Sequence, residues 1–122
     1  MKNRKILVVD DEPFILRSLT YVLKREGYET FTATDGEAAL AVIAQEKPEL
    51  IFLDVMIPKK NGFQVCQEVK NNPEFKNTRV VLLTAKGQES DRQKGKEVGA
   101  DDYIAKPFSP SRIVQSVRDT LG

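Results

Sequence analysis

The chain carries a short, continuous apolar run, Leu50-Ile51-Phe52-Leu53, entered after Pro48 and closed by Asp54. An uninterrupted run with β-branched and aromatic members reads as a strand buried on both faces, the signature of a parallel sheet covered by helices. A carboxylate then stands where the strand should stop. In open α/β sheets ligands collect at the carboxyl ends of the strands, so Asp54 is placed where chemistry occurs. Taken alone, Asp54 reads equally as a turn-initiating aspartate, helped by Pro58 and by Asn61-Gly62. Its companions elsewhere in the chain decide against that.

The 122 residues make one domain, expected over 1–122 and large enough for one sound core. A net charge of +1 with both signs interspersed points to neither nucleic acid nor a membrane surface. No apolar run approaches membrane-spanning length, and Met1-Lys2-Asn3-Arg4-Lys5 leads into only a short apolar stretch, unlike a signal peptide. The lone Cys66 has no partner for an intrachain disulfide and fits a reducing cytoplasm; in an apolar-patterned helix it reads as a packed core thiol. With no histidine in the chain, Ser-His and Cys-His catalysis and imidazole metal sites are excluded. Any metal must be held by oxygen.

The strand pattern recurs. Lys5–Val9 ends in Asp10-Asp11-Glu12, and Pro13 then suits a first helical turn. Ile15, Leu16, Leu19, Val22 and Leu23 follow at helical spacing up to Gly27, a natural stop. Tyr28–Ala33 alternates like a strand nearer an edge. Asp35-Gly36 reads as a turn before a second helix carrying Ala38, Ala39, Leu40, Val42 and Ile43. Phe63, Val65, Cys66 and Val69 give a third helix, finished by Asn71-Asn72-Pro73. Val80–Leu83 is another buried strand, ending at Thr84-Ala85. Gly87–Val98 is polar and predicts a weakly packed fourth helix. Asp102–Ala105 is a short strand stopping at Lys106-Pro107, and Ser109-Pro110 caps a last helix with Ile113, Val114, Val117 and Leu121. Five strands alternating with five helices predict a flavodoxin-like, doubly wound α/β sheet of strand order 2-1-3-4-5, helices on both faces.

In that order strands one and three are neighbours, so Asp10, Asp11 and Asp54 crowd one crevice, with Thr84 and Lys106 at the ends of strands four and five. Like charges so close raise one another's pKa and destabilise the fold unless a cation neutralises them. With oxygen ligands only, the cation expected is Mg²⁺, which keeps several waters and usually awaits a phosphate. The Thr84 hydroxyl and Lys106 ammonium would supply donors for a phosphoryl group.

Asp10-Asp11, Asp54, Thr84-Ala85 and Lys106-Pro107-Phe108 resemble, in order and in strand context, the receiver domains of two-component response regulators, the CheY-like superfamily. The resemblance spans essentially the whole chain, including Asp54 to Pro58 with Asn61-Gly62, and Val98 to Phe108. It implies that Asp54 accepts a phosphoryl group from a sensor histidine kinase or histidine phosphotransfer protein. It implies that Asp11, Asp54 and the Met56 carbonyl bind Mg²⁺, with Asp10 acting through water. Lys106 would pair with phosphoryl oxygens, its bond to Pro107 cis, and Thr84 with Tyr103 would be the switch pair. Phosphorylation would then repack the face of helix four, strand five and helix five, which meets an output domain, a target protein or a second copy. Met56 and Lys86 would border the approach of hydrolytic water and tune phosphoryl lifetime. Such a chain is a phospho-acceptor that assists its own phosphorylation and dephosphorylation, not an enzyme acting on a separate substrate.

Two rival readings differ in class. A haloacid-dehalogenase-like phosphatase also uses an aspartate nucleophile with Mg²⁺, Thr and Lys, but it wants Asp-x-Asp where this chain has Asp10-Asp11-Glu12, and it would be labelled at Asp10. An interaction module that is never phosphorylated usually lacks an acid or the lysine, and none is missing. Lys59-Lys60 and Lys94-Gly95-Lys96 read as solvated charge and not as a nucleic-acid footprint. The chain stops near its last helix with no output domain, which fits a stand-alone regulator or the receiver of a longer one. The resemblance also implies a charge-paired dimer face on helix four, strand five and helix five, of which Asp91-Arg92, Glu97 and Asp101-Asp102 supply part and from which Arg112 and Gln115-Ser116 depart.

Overall fold

The computed structural model describes residues 4–85 and 89–121, without the side chain of Glu89. Its elements are β1 (Lys5–Val9), α1 (Pro13–Arg25), β2 (Glu29–Ala33), α2 (Gly36–Glu46), β3 (Leu50–Asp54) and α3 (Gly62–Asn71). A short 3-10 turn (Pro73–Phe75), β4 (Arg79–Ala85), α4 (Glu89–Glu97), β5 (Asp102–Lys106) and α5 (Pro110–Leu121) complete it. The five strands form one parallel sheet in the order β2-β1-β3-β4-β5. The expected fold and strand order are those observed.

Alternation along each strand sorts the core into two layers. Leu7, Val9, Ile51, Leu53, Val80 and Leu82 meet Ala39 and Ile43 of α2 and Val65, Cys66 and Val69 of α3. Ile6, Val8, Leu50, Phe52, Val81 and Leu83 meet Leu19 and Leu23 of α1 and Ile113 and Val117 of α5. These strand residues are wholly inaccessible to solvent, which is why the sequence reads as unbroken apolar runs. Each buried Leu, Ile or Val contributes roughly 1.5–3 kcal/mol.

Local signals set the ends. Gly27 takes a left-handed φ of 91° after α1, a conformation open to glycine at little cost. Asn61 and Gln64 form a reciprocal capping box at the start of α3. Asp35, expected in a simple turn, instead caps α2 by accepting the Ala38 N–H at 2.8 Å. The fourth helix is described from Glu89, while Gly87 lies outside the described residues. Among the described residues of α4 only Gly95 is buried, which matches its polar sequence.

Candidate functional site

Strand register determines which side chains share a face at the C-terminal edge. Lys106 follows Ile104 by two residues and Asp54 follows Phe52 by two, so both lie on the α1/α5 side. Asp10 continues the Ile6, Val8 series to the same side. Thr84 follows Leu82 and pairs with Ala105, placing it on the opposite side with Tyr103, whose register partner is Leu82. The edge therefore carries an acidic crevice on one face and the Thr84–Tyr103 pair on the other.

Within the crevice the Lys106 ammonium donates to Asp10 Oδ2 at 2.8 Å and to Asp54 Oδ2 at 3.3 Å, and lies 3.8 Å from a carboxylate oxygen of Glu12. The remaining oxygen of Asp10 accepts the Glu12 N–H at 2.9 Å, and that of Asp54 accepts the Met56 N–H at 3.2 Å. Asp10 is fully buried, Asp54 nearly so, and Asp11 exposed. One oxygen from each of the three aspartates lies within 4.8 Å of the others. Among the described residues one ammonium, that of Lys106, stands against these three carboxylates, so negative charge is in excess there. The donors are all oxygen, spaced to share one hard cation and open to solvent at Asp11. That set fits a divalent cation of the Mg²⁺ or Ca²⁺ kind.

Burial, and after it the neighbouring charges, shows in protonation. Burial raises the pKa of Asp54 above the usual carboxylate range; the Met56 N–H opposes this, the Asp10 charge adds to it, and Lys106 opposes it again. Burial alone would lower the pKa of Lys106, yet its hydrogen bond to Asp10 and the charges of Asp54 and Asp10 raise it above the ordinary lysine value. Lys106 is therefore held as a cation.

The structure brings Asp10, Asp11, Asp54 and Lys106 together as the sequence predicts, and the Lys106–Pro107 peptide is cis. Met56 adjoins Asp54 and is 76% exposed. Thr84 is buried, and the half-buried Tyr103 ring packs on the core of its face with the Arg92 guanidinium 4.5 Å from its centroid. Lys86 lies outside the described residues. Sequence reasoning missed Glu12 as a neighbour of Lys106, although the run Asp10-Asp11-Glu12 held the signal. It also missed the groove that α1 and α5 form beside Asp54, for which no local motif exists.

Several surface charges have partners within the chain. Lys59, Lys60 and Lys94 stay at the surface as expected, with Lys59 3.8 Å from Asp35, Lys60 bonded to Glu68 at 2.8 Å and Lys94 over the Phe63 ring at 5.2 Å. Asp101 and Asp102, expected to serve a dimer face, are engaged inside the chain. Asp101 accepts from Lys70 at 2.7 Å and from the Val80 N–H at 2.8 Å, while Asp102 meets Arg112 and Ser116, each at 3.3 Å. Partners close in space but distant in sequence satisfied these groups.

A doubly wound sheet that gathers three aspartates and a lysine at the switch point between β1 and β3 defines an aspartate-centred α/β domain. The sequence model of the response regulator receiver domain matches residues 6–118, and the chain belongs to that family, whose members are phosphorylation-activated switches. It is 48% identical over 119 residues to the alkaline phosphatase synthesis transcriptional regulatory protein PhoP of Bacillus subtilis, covering 98% of this chain and 49% of that protein. It is 46% identical over 121 residues to the probable transcriptional regulator ycf27 of Cyanophora paradoxa, covering 99% of this chain and 49% of that protein. The chain thus spans about half the length of the curated relatives it matches. Among solved structures, a putative response regulator from Chloroflexus aurantiacus superposes with a TM-score of 0.94 at 38% identity, covering 98% of both chains. The chemotaxis response regulator CheY4 of Vibrio cholerae superposes with a TM-score of 0.91 at 32% identity, covering 98% of this chain and 99% of that one. Among the described residues no helix is long and apolar enough to cross a membrane.

Proposed function

We propose that Asp54 is the phospho-acceptor of this receiver domain and that its phosphorylation reshapes the α4–β5–α5 face. The observation that carries this is the Lys106 ammonium bridging the buried Asp10 and Asp54 carboxylates. Mg²⁺, held by Asp11, Asp54 and the Met56 carbonyl with Asp10 acting through water, would neutralise the crowded carboxylates and the phosphoryl oxygens when bound. An Asp54 oxygen attacks phosphorus as the bond to the donor's imidazole nitrogen breaks. Lys106 is positioned to exchange its carboxylate partners for phosphoryl oxygens, which requires little rearrangement of a fixed cation. The Thr84 hydroxyl turns toward the new charge, roughly −1.5 to −2 at neutral pH, and Tyr103 follows on the same face. A coupling of about 1–3 kcal/mol is enough to change partner affinity.

The donor is a sensor histidine kinase or a histidine phosphotransfer protein in the cytoplasm. The output is an attached domain, a target protein or a phosphorylation-dependent homodimer, with no nucleic-acid contact by this chain itself. The relatives named as transcriptional regulators favour an output in transcription. Phosphoryl loss is slow, because the exposed, apolar Met56 offers no group to orient water and Lys86 would hold phosphoryl oxygens.

Acetyl phosphate with Mg²⁺ should add one acid-stable, base-labile phosphoryl group, mapped to Asp54 and absent from Asp54→Asn. Wild-type labelling of that variant overturns the assignment, and labelling at Asp10 would favour the phosphatase chemistry. Met56→Asn with Lys86→Glu should speed phosphoryl decay, and an unchanged rate would remove both positions from control of lifetime.

A further inference from the structure

Beside Asp54 lies a groove of about 580 Å³ between α1 and α5. Its walls are apolar: Ile15, Leu19 and Val22 from α1, Phe108 from the loop after β5, and Ile113 from α5. Asp54, Lys106 and Met56 line the same groove, which is therefore continuous with the phospho-acceptor. From Glu12 to Val22 the α1 side runs about 15 Å, at 1.5 Å per helical residue. Three large apolar side chains are notably exposed among the described residues, and two of them, Phe14 at 72% and Met56 at 76%, line this groove. Isolated exposed apolar residues require no explanation, but two beside one concave apolar surface do.

The charges are confined. Glu12, Asp54 and Lys106 gather where the groove meets the crevice, and among the described residues Ser18 is the one other polar side chain in its lining. With a divalent cation offsetting the carboxylates, an occupant matched to this distribution has a phosphate head, held by the Lys106 ammonium, and an uncharged apolar tail. We propose that the groove is a subsite for the acyl portion of small acyl phosphates, so that the chain takes its phosphoryl group from longer-chain donors in preference to acetyl phosphate. This rests on the reading of Asp54 as acceptor and adds the class of small donor. The transfer balances without a further reactant: an Asp54 oxygen forms a bond to phosphorus, the bond from phosphorus to the acyl oxygen breaks, and the electron pair leaves with a free carboxylate.

The selectivity follows from burial. Each methylene moved from water to an apolar wall favours the bound state by roughly threefold to fourfold, so butyryl phosphate should label the chain about tenfold faster than acetyl phosphate at equal concentration. The two leaving carboxylates have nearly the same basicity, so intrinsic donor reactivity does not create such a difference. Ser18→Phe narrows the groove from α1 without altering any crevice residue. It should bring the butyryl rate down to near the acetyl rate, while phosphoramidate, which has no acyl group, labels it as fast as the unaltered chain.

The test is initial labelling with acetyl, propionyl and butyryl phosphate and with phosphoramidate, all with Mg²⁺. The acyl series on the unaltered chain stands without the variant, should Ser18→Phe fold poorly. A rate rising with acyl length, lost in folded Ser18→Phe, supports the subsite. Equal rates across the series, with Asp54 still labelled, overturn the subsite alone and leave the groove to a side chain of a protein donor. A length preference that survives in folded Ser18→Phe also overturns the assignment to this groove. Labelling of Asp54 by no donor overturns both the subsite and the acceptor reading.

Discussion

Asp54 and Lys106 touch, yet their loss should move stability in opposite directions. The Asp54 carboxyl holds its proton more tightly folded than unfolded, chiefly because it is buried. The folded state therefore loses stability as pH rises from the ordinary carboxylate value through the raised one, and the whole cost is present above that raised value. Asp54→Asn removes it, so the metal-free variant should match or exceed the wild type in a thermal melt, by on the order of 1 kcal/mol, while losing stabilisation by Mg²⁺. A metal-free loss beyond about 1 kcal/mol would show that the carboxylates are not in conflict. Lys106 has the reverse sign. Its pKa is raised, so its contribution is complete below the unfolded lysine value and disappears as pH climbs through the folded one. Lys106→Met leaves Asp10 buried without its cation and should cost about 3 kcal/mol in metal-free urea unfolding at pH 7. Cys66 is a third case: burial pushes its thiol up to about 11, so a thiol reagent at pH 8 should react only as fast as the chain opens. Rapid labelling of folded protein would contradict that packing.

Elements decide where this crevice sits, and glycines decide how closely the elements approach. A Cβ on Gly36, at the start of α2, would fall 2.0 Å from the backbone oxygen of Lys60, and the Gly36 N–H bonds Pro58 O at 3.1 Å. The loop carrying Met56 is thus pinned to α2 through backbone that has no room to move aside. Gly36→Ala should cost more than about 2 kcal/mol and weaken Mg²⁺ binding as well. Gly95 in α4 meets only the Leu82 Cδ1 methyl, at 3.0 Å. There the helix-propensity gain of Ala over Gly, about 1 kcal/mol, offsets the crowding, so Gly95→Ala should melt within about 1 kcal/mol of wild type. Comparable losses in both variants would show that the contact partner does not matter. These approaches also mark what the sequence could convey. The apolar runs ending in Asp10, Asp54, Thr84 and Lys106 announced strands and site together, because parallel-strand burial and C-terminal function both act locally on the chain. Asp35-Gly36 read as a turn because nothing local says that Lys60 will press on Gly36. Asp101, bonded to Lys70 and to the Val80 N–H, was invisible as a structural hub for the same reason.

At the scale of the whole molecule, one sheet separates two apolar layers, and surface charge controls what meets the outside. The expected dimer face of α4, β5 and α5 has none of the three large exposed apolar residues, which belong to α1 and to the loop after β3. Its β5-side acids already have partners in the same chain, Asp101 with Lys70 and Arg79, Asp102 with Arg112 and Ser116. Self-association through that face must exchange internal ion pairs for intermolecular ones, at little net gain in water, and without an apolar centre to supply the remainder. Sedimentation equilibrium should therefore find a monomer without phosphodonor at about 50 µM. With donor and Mg²⁺ it should find a dissociation constant no tighter than about 10 µM, or about −7 kcal/mol. Arg112→Ala releases Asp102 and should tighten the phosphorylated dimer severalfold. A submicromolar dimer in the unaltered chain would show that phosphorylation exposes an apolar contact on this face, and indifference to Arg112→Ala would place Asp102 outside the interface.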